Sequence, residues 1–240
     1  MTQSYPEISI QNAIHPSAWW VGTKGINYHC GRLILAFLPH VDQVPLRLIP
    51  IGRGDGVRHD EALVRIEPLR LKRRERHPSI LPVAALPDFP GEEKIVLRAK
   101  KRPALIVSEG GIEVPRTLSR DKPKWQTSST LLVAPFYGVD EGEQRSGFAD
   151  QFLNRIRACE YPQFIADRLP IPGAHESLLK LDHIQPIGKN NDSIELTSFR
   201  LSEDAMTVFD CWLKWFLTGK LEKNSLVGLA RSTFLQEGIA

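Results

Sequence analysis

Arg102, Tyr137, Lys180, Asp182 and His183 are the side chains of this sequence whose types and positions suit anion binding and proton transfer. Arg102 opens an apolar run through Val107, and a guanidinium is always protonated and grips phosphate oxygens as a fork. Lys180 and Asp182 alternate with Leu181 in a run that reads as a strand, which puts cation and carboxylate on one face. Histidine titrates near neutrality before any shift, but the same alternation turns His183 to the face opposite Asp182. Tyr137 ends a second apolar run and can donate to a phosphate or stack on a base. Together these groups fit the metal-free cleavage of an RNA phosphodiester. There a base takes the 2′-hydroxyl proton, an acid protonates the leaving 5′-oxygen, and cations hold the charge of the phosphorane. The product is a 2′,3′-cyclic phosphate. Each residue also has a plainer reading: a charge at the mouth of a strand, a surface ion pair, a histidine bonded within a sheet, a half-buried strand-end tyrosine.

Other chemistries find less support. His15, His29, Cys30 and His40 are spaced in no defensible ligand pattern, so neither a metal site nor a cofactor is expected. Cys30, Cys159 and Cys211 lie far apart with no C-x-x-C pair, which suits reduced thiols in a cytoplasmic protein. No apolar run approaches the roughly 20 residues of a membrane span, and the start MTQSYPEISIQN lacks the features of a signal peptide. The Trp19-Trp20 pair fits either a cover over the core or an interface.

The net charge of +3 over 240 residues hides an uneven distribution. From Arg65 to Arg102 eleven Lys and Arg stand against five acids, a basic stretch that ends in Lys100, Lys101 and Arg102. Such a stretch holds phosphates by charge and counterion release, or else solvates a strand edge. Nucleic acid is therefore a candidate partner.

The elements that must position these residues are mostly strands. With 18 prolines and 17 glycines, the chain reads as a mainly β, α+β protein of short strands and many turns. Strands are expected within residues 32–51, broken near Pro39 and Pro45, and again at 62–67, 94–98, 104–108 and 130–136. Residues 109–129 read as a polar loop. Phe148, Phe152 and Ile156 mark a short helix after Gly147, and a last strand is expected over Ser177–Ile187. From Ser202 to Thr218 the apolar residues Ala205, Val208, Phe209, Trp212, Leu213, Phe216 and Leu217 recur at helical spacing. Ser202 suits the N-cap, Glu203 and Asp204 the positive end of the dipole, and Gly219 the C-cap. The Pro-rich stretch 77–91 divides an N-terminal β-rich extension, 1–90, from a module at 91–240.

Three blocks of that module resemble the PemK/MazF toxins. Lys100-Lys101-Arg102-Pro103-Ala104-Leu105-Ile106-Val107-Ser108 is similar to the family's Arg-Pro followed by a buried strand. Leu132-Val133-Ala134-Pro135-Phe136-Tyr137 is similar to its strand ending in A-P-I-T. Glu176 to Ile187 is similar to its D-S-hydrophobic-hydrophobic-x-x-[DE]-Q-I-R-x-I strand, and a C-terminal helix follows in both. The chain also departs from the family: Tyr137 stands where it has Thr and His183 where it has Gln, the gap between the first two blocks is longer than usual, and residues 1–90 have no counterpart in its compact members. The resemblance implies an SH3-like small β-barrel of the PemK/MazF/CcdB type with a C-terminal packing helix. It also implies a metal-independent endoribonuclease acting on single-stranded RNA, dimeric and neutralised by an antitoxin protein. It assigns transition-state stabilisation to Arg102, catalysis to Lys180 and Asp182, and binding to Tyr137, Lys100, Lys101 and His183. Two alternatives stay open: a non-catalytic barrel that binds nucleic acid or a protein through the same basic face, as CcdB-type barrels need not cut RNA, and a scaffold whose function lies in residues 1–90.

Overall fold

The computed structural model describes residues 9–70, 85–87, 89, 91–123, 127–140, 147–173, 175–189 and 192–236. Lys72, Arg73, Arg74 and Arg76 of the basic stretch, and most of the Pro-rich stretch, lie outside them. The strands are β1 (Trp20–Gly22), β2 (Arg32–Pro39), β3 (Leu46–Gly52), β4 (Leu63–Pro68), β5 (Ile95–Val96), β6 (Ala99–Ser108), β7 (Thr130–Gly138), β8 (Phe164–Arg168), β9 (Glu176–Lys180), β10 (Gln185–Gly188) and β11 (Ile194–Leu201). Four α-helices lie among the described residues: α1 (Arg116–Ser119), α2 (Asp150–Arg157), α3 (Glu203–Thr218) and α4 (Leu226–Gln236). The protein is α+β, with mostly antiparallel strands in a curled main sheet.

The chain forms two compact units. Leu38–Lys100 is one, built on a three-stranded antiparallel sheet in the order β4-β3-β5. Arg47 of β3 ties that sheet together, with Glu67 of β4 at 3.7 Å and Glu93 at 2.5 Å. Residues 1–37 and 101–240 make the other unit, so the segment before Phe37 supplies β1 and most of β2 to the unit that carries Arg102 and Asp182.

In the larger unit the strand order is β1-β11-β2-β6-β7-β9-β8, with β10 also on β7. β6 and β7 are central, and the runs Ala104-Leu105-Ile106 and Val133-Ala134 are buried on both faces, as continuous apolar strands require. On one face Leu105, Ala134, Phe136 and Leu179 meet Val208, Phe209, Trp212 and Trp215 of α3. The limits of α3 follow from its ends. The Ser202 hydroxyl accepts the Ala205 N–H at 3.1 Å, and Gly219, at φ 68°, takes the left-handed cap that other residues resist. A second cluster joins Leu153 and Ile156 of α2 to Val139, Ala166 and Leu178.

Several expectations need correction. The run 177–187 is not one strand: β9 stops at Lys180, a 3-10 turn takes Leu181–His183, and β10 resumes at Gln185. Nor is it the last, since β11 follows and holds β1 and β2 on its two sides. β8, between Pro162 and Pro170, pairs with β9 and is a strand beyond those expected from the sequence. The polar loop at 109–129 contains the short helix α1.

Trp19 and Trp20 cover the core. Both indole N–H groups donate to the carboxylate of Asp167 on β8, Trp19 at 3.1 Å and Trp20 at 3.2 Å. Asp167 is only 4% exposed, and burial pushes its carboxyl up to about 7 against the pull of the two indoles and the Arg168 N–H. The folded state therefore holds this proton more tightly than the unfolded chain does. Stability is full below the ordinary carboxyl range and is lost as pH rises from about 4 through 7, by on the order of 4 kcal/mol for a shift of this size. Asp167→Asn keeps an acceptor but cannot ionise. Urea unfolding midpoints of the wild type should fall between pH 5 and pH 8, and those of Asp167→Asn should stay nearly level.

Candidate functional site

The register of the central strands brings the three motif blocks together. β6 and β7 pair with Ala104 opposite Pro135. Carried two residues toward the start of β6, that register sets Arg102 level with Tyr137, and the guanidinium lies 4.4 Å from the centre of the Tyr137 ring. On its other side β7 pairs with β9, with Tyr137 opposite Leu178. Lys180, two residues on and on the same face, reaches to 5.8 Å from the Tyr137 ring centre. Its ammonium also sits 4.9 Å from the ring of Phe164, its direct partner across β8 and β9.

The 3-10 turn completes the site. β7 pairs with β9 as far as Phe136 opposite Leu179, and with β10 from Val133 opposite Gln185. Ala134 and Pro135 thus face a longer stretch, 180–184, and the surplus is taken up by the turn. Pro135 has no N–H to offer a neighbour, so the ladder loses little by opening there. In an unbroken strand His183 would share a face with Leu179 and Leu181, both buried against α3. The turn takes it out of that core. Its Nδ1 lies 2.8 Å from the Tyr137 hydroxyl, and the two rings meet edge to face at 84°. The expectation that His183 turns away from the other site residues is overturned for this reason: strand alternation does not apply across Leu181–His183. Asp182, in the same turn, sits with its carboxylate 3.5 Å from the Lys180 ammonium.

Arg102, Tyr137, Lys180, Asp182 and His183 therefore form one connected group in the larger unit. Tyr137 is its hub. Burial raises the Tyr137 phenol, Arg102 pulls it back, and Asp182 raises it further, so that it stays protonated at neutral pH. Lys101 and Lys100 fall outside the group. Lys101 alternates with Arg102 along β6 and pairs with Glu195 of β11 at 2.6 Å. Lys100 is the last residue of the smaller unit and is exposed.

Comparison of the chain with family models, with curated proteins and with solved structures returns no match. The functional reading rests on the geometry. Two cations, a carboxylate, an imidazole and a phenol meet at a partly exposed strand end, where an anion can be gripped and protons exchanged. Among the described residues no group of three His, Cys, Asp or Glu side chains is placed to hold a metal ion. No described helix is long and apolar enough to cross a membrane.

Sequence reasoning missed Phe164 as the ring beneath the Lys180 ammonium, since β8 itself went unread. It also missed the contact between Tyr137 and His183. One signal for that contact was present: a histidine at the third place of an alternation begun by Leu179 and Leu181 does not belong in an apolar core.

Proposed function

We propose that this chain is a toxin-like, metal-independent endoribonuclease that cleaves single-stranded RNA. In this reading the larger unit is an SH3-like barrel of the PemK/MazF type, acting in the cytoplasm as a homodimer and held in check by an antitoxin protein. The observation that carries it is the convergence of Arg102, Tyr137 and Lys180–Asp182 from three separated motif blocks onto one strand end. A chance likeness of three short motifs does not require their polar residues to meet. Arg102 and Lys180 supply positive charge for the phosphorane oxygens, and Asp182 takes the proton of the attacking 2′-hydroxyl. The 2′-hydroxyl is the nucleophile, so the reaction needs no activated water.

Purified protein, free of any partner, is expected to cut a pool of single-stranded RNA in the presence of EDTA and to leave 2′,3′-cyclic phosphate ends. Absence of cleavage across a broad pool overturns the enzyme reading. Retained RNA binding with a steep salt dependence then establishes the non-catalytic module instead, because the slope counts the phosphates neutralised.

A further inference from the structure

Tyr137 and His183 stand at two of the positions at which the motif blocks depart from the family they resemble, and they are bonded to each other. We propose that His183 is the general acid that protonates the leaving 5′-oxygen, with Tyr137 as the residue that positions its ring. This inference rests on the nuclease reading above and supplies the one role that reading leaves unassigned.

The argument starts from the ring. An imidazole has two nitrogens that point apart, and Nδ1 is committed to the Tyr137 oxygen at 2.8 Å. Proton exchange with a substrate then falls to Nε2. The phenol that fixes the ring is itself held: its backbone lies in β7 between β6 and β9, and the Arg102 guanidinium covers its ring at 4.4 Å. Because burial keeps Tyr137 in its phenol form, its oxygen accepts from the Nδ1–H of the imidazolium without becoming a competing charge. Asp182 and His183 are successive residues of a 3-10 turn, in which side chains diverge by about 120°. In the proposed step the carboxylate and the imidazole act on a phosphate held by Arg102 and Lys180 from different sides, as in-line displacement requires.

The step balances. The 2′-oxygen bonds to phosphorus while its proton passes to Asp182. The P–O5′ bond breaks, and the 5′-oxygen takes the proton from Nε2 of His183. The products are a 2′,3′-cyclic phosphate and a 5′-hydroxyl, and a proton returns from Asp182 to His183 through solvent.

RNA in which sulfur replaces the bridging 5′-oxygen of the scissile linkage tests this directly, because a thiolate is a far weaker base than an alkoxide and leaves without a proton. His183→Gln should slow the cleavage of ordinary RNA by about 10²-fold, the lower end of the range for a lost general acid. It should cut the sulfur-bridged RNA at close to the wild-type rate. Tyr137→Phe keeps the ring under Arg102 and removes only the hydroxyl. It should lower kcat on ordinary RNA by about 10-fold with KM unchanged, again with little loss on the sulfur-bridged substrate. Equal slowing of both substrates by either variant, or no slowing of ordinary RNA by His183→Gln, overturns the acid assignment while leaving the nuclease standing. A wild-type protein that cuts neither substrate overturns both.

Discussion

Arg102→Ala is expected to cut RNA at least about 10²-fold more slowly than the wild type, with the loss in kcat and not in KM. A group that meets charge developing in the transition state contributes on this scale, as the removal of single oxyanion donors does. Arg102 is suited to that role by its place. It is half-buried at the wall of the site, and its guanidinium lies over the Tyr137 ring, 4.4 Å from its centre, so the forked group is placed there before substrate arrives. Removing it also frees the Tyr137 ring from a cation–π contact worth roughly 0.5–1 kcal/mol, too little to unfold the larger unit. Circular dichroism should therefore match that of the wild type. Arg102→Lys separates charge from geometry: an ammonium restores the charge but not the fork, so partial recovery of the rate is expected. Single-turnover cleavage of one RNA by the three proteins is the measurement. Equal rates for wild type and Arg102→Ala would place the site on other residues.

What could be read in advance depended on how local the determinant was. The limits of α3 were legible almost to the residue, because a serine cap and a terminal glycine bracket one apolar stripe; within the stripe Leu217 proves exposed, and Trp215, not counted in it, is buried. β6 and β7 were legible as strands because their cores are unbroken apolar runs. β11 was not. Its stretch, Ile194-Glu195-Leu196-Thr197-Ser198-Phe199-Arg200-Leu201, mixes polar and apolar residues, and what makes it a strand is its neighbours β1 and β2, which come from the other end of the chain. The site divides in the same way. The side chains were identified from their chemistry, and the meeting of Arg102 with Tyr137 follows from a register that two apolar runs specify. The place of His183 follows from a three-residue turn opposite Pro135, a tertiary event with no periodic trace. Lys101 shows the converse, a cation that adjacency in sequence grouped with Arg102 and strand alternation sent to Glu195.

The second large effect is expected at Asp182, and its sign distinguishes two roles. As the group that takes the 2′-hydroxyl proton, Asp182 contributes about 10²–10⁴-fold to the rate. Asp182→Asn has nearly the same shape and still offers an oxygen to Lys180, but it no longer accepts a proton from an alcohol. The alternative role is that of counter-ion, since the carboxylate stands 3.5 Å from the Lys180 ammonium and is more than a third exposed. An ion pair whose carboxylate stands open to solvent contributes little to folding, so neither role predicts unfolding on substitution. Their kinetic consequences differ. Removing a negative charge from a site that must hold a phosphate strengthens binding, so a counter-ion alone would yield a lower KM with kcat preserved. Removing the base lowers kcat by about 10² or more, while KM stays level or falls for the same electrostatic reason. Lys180→Met is the complement: it removes the cation but not the carboxylate, and should weaken RNA binding and reduce its salt slope by about one phosphate. Steady-state kinetics on one RNA at fixed ionic strength then separates the cases. A fall in kcat for Asp182→Asn without a rise in KM makes Asp182 the base, and a fall in KM at constant kcat makes it only the partner of Lys180.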